Sequence, residues 1–201
     1  VAIIGGGPAG LESARLAALR GHRVTVYEAS SHLGGQLALA AAAPHRAEMG
    51  LLVDWWAREL DALGVVVRLD HAIDPPRPPA AGAVIWAIGA QPSQSAVGKL
   101  RPALFDGIPG SSGLAHGRDV IAGINAATGK VLVLDEEGGW PAVSLAETLA
   151  AQTGVSSVTV ATTEAQLGLA ELSLTRELPV VSARLRAAGV TVVPGVTANH
   201  V

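Results

Sequence analysis

A glycine-rich bend constrains this chain more than any other feature: Gly5, Gly7 and Gly10 follow directly on the apolar run from Val1 to Ile4. Four apolar residues without alternation are too few for a helix and suit a central parallel strand covered on both faces. The three glycines stand in G-x-G-x-x-G register, and each answers a separate steric demand. Gly5 permits the tight turn, Gly7 lets backbone N–H groups approach a diphosphate with no Cβ between, and Gly10 lets the helix lie close on the strand. With Pro8 and Ala9 they open a helix whose first N–H groups and positive dipole end favour an anion.

A glycine fingerprint gains meaning only from its context, and here the context agrees. The expected helix from Ala9 to Arg20 carries Ala14, Ala17 and Ala18, and Gly21 stops it. A second strand, Val24 to Tyr27, ends in Glu28. That carboxylate falls roughly twenty residues past the glycines, where a ribose diol needs an acceptor. The loop Gly34-Gly35-Gln36 again allows close backbone approach to a ligand, or is a simple turn.

Composition narrows the class. The chain has 201 residues, 49% of them hydrophobic, which is ample for one large or two small cores. No apolar run reaches the ~18 residues of a membrane helix; the longest candidate, Leu37 to Ala43, is stopped by Pro44. With no secretory pattern at the start, a cytoplasmic address is expected. A net charge of −3 without a basic cluster argues against a nucleic-acid partner. Cysteine is absent, which excludes a redox disulfide, a thiolate-held iron–sulfur cluster and a Cys-based zinc site within these residues. The six histidines show no short ligand spacing, so no metal site is expected. The chain opens without Met and with a strand under way, as a piece of a longer protein would.

Further along, Met49, Leu52, Val53, Trp56, Leu60 and Leu63 recur at helical spacing, with Trp55 and Trp56 read as packing and rim residues. A strand from Val65 to Leu69 and a stiff connection, Asp74 to Pro79, follow. The run Ala83 to Ile88 reads as another buried strand entering Gly89. Residues 90–129 lose periodicity, apart from a short helix near Asp119 to Ala122. From Lys130 a second strand–helix–strand pattern begins: Val131 to Leu134, Ala142 to Gln152, Val158 to Val160, then Pro179 to Ala188 and Val190 to Val193. Matching the end of Leu134 to the end of Ile4 puts Asp135, Glu137 and Trp140 where the fingerprint glycines should stand. Two carboxylates would repel a diphosphate and an indole would obstruct helix–strand contact, so NAD(P)H is not expected there.

Taken together, Gly5 to Gly10, Glu28, Gly34-Gly35-Gln36, Ala87-Ile88-Gly89 and the turn Leu132 to Gly138 resemble the C-terminal nucleotide-binding half of the 2,4-dienoyl-CoA reductase, trimethylamine dehydrogenase and histamine dehydrogenase group of NADH:flavin oxidoreductases. The resemblance implies an α/β fold of Rossmann-like, glutathione-reductase-like FAD and NAD(P) lobes: 1–89 an FAD-binding or ADP-binding lobe, 90–129 a connecting segment, and 130–201 a second lobe, degenerate and incomplete. It implies cofactor contacts at Gly5, Gly7, Pro8, Ala9, Gly10, Glu28, Gly35, Gln36, Ala87 and Gly89, with no catalytic side chain of the chain's own. FMN and a 4Fe–4S cluster would belong to an N-terminal barrel outside these residues. That barrel, an electron-transfer protein and a second copy of the chain are the partners it suggests. The family commonly has Ala-Thr-Gly where this chain has Ala87-Ile88-Gly89. The Gly34-Gly35-Gln36 loop resembles the FAD-binding branch, whereas trimethylamine dehydrogenase holds only ADP at the first site. A flavin enzyme and a non-catalytic ADP-binding module both remain open. Disulfide reductases of similar fold would need two cysteines.

Overall fold

The structure, a computed structural model, describes residues 1–90, 116–135 and 137–196. The chain divides into two compact units, Val1–Gln91 and Pro92–Val201. The irregular stretch expected after Gly89 falls largely on residues 91–115, outside the described residues.

The first unit is built on a four-stranded parallel sheet in the order β3-β2-β1-β4, with β1 Ala2–Ile4, β2 Thr25–Tyr27, β3 Val66–Arg68 and β4 Val84–Trp86. β1 is central and buried along its whole length, as its unbroken apolar run requires. In register with Ile3 are Val26, Val67 and Ile85. Ile3, Val26 and Val67 pack with Leu11 and Ala14 of helix α1, Pro8–Leu19, and with Trp56 and Leu60 of helix α3, Gly50–Ala62. Trp56 is buried and Trp55 sits at the rim. Between them lie helix α2, Gln36–Ala42, and a 3-10 turn, Ala47–Met49.

One expectation fails in this unit. β4 is not a buried strand: Ile85 and Trp86 are 38% and 40% exposed. It lies at the edge of the described sheet, paired to β1 alone. Its sequence is as apolar as that of β1, but burial depends on neighbours that its own residues do not supply.

The second unit has helix α4, Gly117–Ile121, and a three-stranded parallel sheet in the order β5-β6-β7, formed by Gly129–Asp135, Val155–Thr162 and Thr191–Val193. Helices α5, Trp140–Ala150, and α7, Leu178–Ala187, supply Val143, Ala146, Leu149, Val181 and Leu185 to a core shared with Val133, Val158 and Val160. A short helix between them, α6, Leu169–Thr175, has no counterpart in the sequence reading. Among the described residues no helix is long and apolar enough to cross a membrane.

Candidate nucleotide site at the first strand–helix corner

The corner between β1 and α1 is held by backbone contacts that only glycine allows. Gly5 has φ +109°, and its N–H donates to Tyr27 O at 2.8 Å. A Cβ on Gly5 would collide with the Ala87 carbonyl, and one on Gly10 with the Gly5 carbonyl. Strand β1, helix α1 and the end of β4 therefore interlock at van der Waals distance. Gly7 is different: a Cβ there would meet nothing within 4 Å. It caps α1, no side chain of its own closes the helix end, and Pro8 occupies the first turn. The helix thus opens toward free space with N–H groups that lack intrahelical acceptors.

Glu28 sits beside this opening. Its Oε2 accepts the Gly6 N–H at 2.6 Å, while Oε1 accepts both the N–H and the hydroxyl of Ser30 at 2.8 Å. Burial alone would raise the carboxyl; the Ser30 and Gly6 hydrogen bonds, with His32 nearby, outweigh it and hold Glu28 below its ordinary value. It is therefore ionised at neutral pH, and Oε2, which accepts one hydrogen bond where Oε1 accepts two, retains lone-pair capacity for a ribose hydroxyl. Gly6 and Ser30 were not among the residues singled out from the sequence. The Glu28-x-Ser30 spacing was the available signal, since a hydroxyl two residues on can fold back to a strand-end acid.

The remaining expected residues converge on the same opening. The Gly34 N–H donates to Gly6 O at 2.8 Å, and a Cβ on Gly35 would lie 3.1 Å from Gly7 Cα. Gln36, first residue of α2, reaches past Gly89 to donate from Nε2 to Ala90 O at 3.4 Å. Of the expected residues, Gly5 and Gly10 pack on Ala87, Gly35 lies against Gly7, and Gln36 approaches Gly89, while Pro8 and Ala9 open α1 and Glu28 holds Gly6. A cradle of backbone N–H groups, an open patch over Gly7 and a strand-end carboxylate fit an adenosine diphosphate moiety.

The second corner departs from the register read from the sequence. Trp140 stands six residues after Leu134, whereas Pro8 stands four after Ile4, so the second bend is longer. Counted from the helix start, Gly139 matches Gly7 and Trp140 matches Pro8. Asp135 is buried and turned inward: it accepts the N–H groups of Glu137 and Gly138 at 3.1 and 3.0 Å and the Thr162 hydroxyl at 2.8 Å. Its charge organises the bend rather than facing a ligand.

Residues 3–58 match the family described as an NAD(P)-binding Rossmann-like domain. Over 155 residues, 75% of this chain, the sequence is 36% identical to N,N-dimethylglycine/sarcosine dehydrogenase of Chromohalobacter salexigens, of which it spans 22%. The 6-hydroxypseudooxynicotine amine oxidase of Pseudomonas geniculata N1 is similar at 30% identity and TM-score 0.77, over 96% of this chain and 29% of that one. Histamine dehydrogenase from Rhizobium sp. 4-9 shares the fold, with TM-score 0.77 at 23% identity over 96% of this chain and 30% of that one. The chain accounts for under a third of each of these proteins. With its first corner, its strand order and these relatives in hand, the chain belongs to the nucleotide-binding half of the 2,4-dienoyl-CoA reductase, trimethylamine dehydrogenase and histamine dehydrogenase family of flavin oxidoreductases.

Proposed function

We propose that the cleft over Gly7 holds the ADP moiety of FAD, and that the whole protein is a flavin-dependent oxidoreductase whose FMN and 4Fe–4S cluster lie in a barrel beyond this chain. The observation that carries this reading is the unobstructed start of α1 at Gly7, with Gly35 beside it and Ala87 packed against Gly5 and Gly10. FAD would supply reversible electron transfer between an external carrier and the barrel; the residues of this chain bind and orient it. The N–H groups of Ala9 and Gly10 would take the diphosphate, Glu28 the ribose hydroxyls, and Gln36 the neighbourhood of the bond beyond. Substrate contacts would belong to the barrel.

A second reading, a non-catalytic module holding ADP alone, is favoured by the second unit, whose bend is longer than the first and is folded around the buried Asp135, so that it lacks the glycine register that a nicotinamide dinucleotide donor would use. Denaturing the full-length holoprotein and chromatographing what is released separates the two. FAD supports the first reading, ADP without FAD replaces it with the second, and the absence of any adenine nucleotide overturns both.

A further inference from the structure

The second corner repeats the first at two points. Gly139 caps α5 as Gly7 caps α1. Gly138, with φ +68°, lies beneath the acid that follows β6: a Cβ there would come 2.6 Å from Glu164 Cγ, just as one on Gly6 would come 3.0 Å from Glu28 Oε2. What differs is the space over the helix start.

Helix α6 folds back across it. The Ala170 N–H donates to Gly138 O at 3.2 Å, and Glu171 Oε2 accepts the Trp140 N–H at 2.9 Å. A Cβ on Gly139 would lie 2.6 Å from Glu171 Cδ, 2.7 Å from Oε2 and 2.9 Å from Oε1, so the carboxylate lies broadside against the glycine. The corresponding space at Gly7 is empty for 4 Å. Leu172, fully buried against Gly168 and within the core of the unit, anchors α6 in this position. A carboxylate on the first N–H groups of a helix satisfies the same donors and the same dipole that a phosphate would.

We infer that α6 is an internal latch: the Glu171 carboxylate supplies the anion at the start of α5 and thereby keeps the diphosphate of a dinucleotide out of the second unit. This goes beyond the reading of the first corner and does not depend on what fills it. The first corner is open and ligand-seeking; the second is satisfied by its own chain.

The test is hydrogen–deuterium exchange on the full-length protein, saturated with ADP at the first corner and titrated with NADH, read on the peptide covering residues 137–149. The wild type should show no NADH-dependent protection there at concentrations where Glu171→Ala shows it, with half-saturation lowered about tenfold, the effect of removing one charged hydrogen-bonding competitor. Glu171→Gln, which keeps an acceptor oxygen without the charge, should lie between. Exchange of the β6 peptide without NADH checks that the variant is folded, and if Glu171→Ala loosens it the comparison is read on Glu171→Gln. Equal behaviour of wild type and variant, whether both are protected at the same concentration or neither is, overturns the latch. Peptides of the first corner report separately on that site.

Discussion

Gly7 and Gly10 belong to one fingerprint, yet the space around them assigns them opposite duties. A Cβ on Gly10 runs into the Gly5 carbonyl, a backbone atom that cannot move aside, and comes 3.4 Å from Ala87 Cβ. Gly10→Ala should therefore destabilise the first unit by about 1–3 kcal/mol, as overpacking does, measurable by urea unfolding. Gly7→Ala meets no protein atom and sits at φ −79°, which any residue adopts. It should unfold like the wild type but bind ADP at least tenfold more weakly, the size of one lost charged hydrogen bond to the diphosphate; equal losses of stability for the two variants would contradict this division. Glu28 is bound through both oxygens, so in Glu28→Gln the new amide must face a donor, either the Gly6 N–H or the Ser30 pair. That variant should lose about 1–3 kcal/mol of ADP affinity by calorimetry, together with some stability of the corner itself. Affinity unchanged in Glu28→Gln would mean that the ribose is held elsewhere.

Among the elements, α1 and α3 are joined by a charge as well as by their apolar faces. Arg15 donates from Nε and Nη2 to the two Glu12 oxygens at 2.9 and 2.7 Å, the Trp56 indole N–H donates to Glu12 Oε2 at 2.9 Å, and the Arg15 guanidinium lies over the Trp55 ring. The Arg15 and Trp56 hydrogen bonds draw the Glu12 carboxyl down from 4.5 to about 2. A depressed carboxyl contributes stability that is present above its unfolded value and lost as pH falls through its folded one. Tryptophan fluorescence should thus stay constant from neutral pH to about 4.5 and change between there and about 2, a transition that Glu12→Gln should remove. The helical spacing of Leu52, Trp56 and Leu60 was legible in the sequence because it is a local period, whereas the partner of the indole N–H was not: Glu12 is forty-four residues away. The β1–α1–β2 corner was legible because its glycines are local steric requirements. β4 was misread because an edge and a centre can share one composition, and α2 was missed because a run of alanines shows no amphipathic period. α6 is too short to show a period, and its neighbours Gly168 and Arg176 are both left-handed, so its ends read as loop.

At the scale of the molecule, two units with separate cores should respond separately to a ligand that only one of them accepts. The first core gathers Ile3, Leu11, Val26, Trp56 and Leu60; the second gathers Val133, Val143, Leu149, Val160 and Leu172. A ligand that binds the native state of one unit stabilises that unit by about 2.7 kcal/mol at a hundredfold excess over its Kd. For a unit the size of Val1–Gln91 this corresponds to a rise on the order of 10 °C in midpoint. Heating the chain with ADP should therefore lift the transition reported by exchange in the first core and leave that of the second core within about 1 °C, because nothing there gains binding energy. Gly7→Ala should lessen the shift in the first core and leave the second unchanged. If ADP raised both transitions equally in the wild type, either the cores would be unfolding as one cooperative body or the second corner would be taking up nucleotide. Glu171→Ala distinguishes these causes: it should leave a cooperative response as it was, but enlarge one that arises from binding at α5.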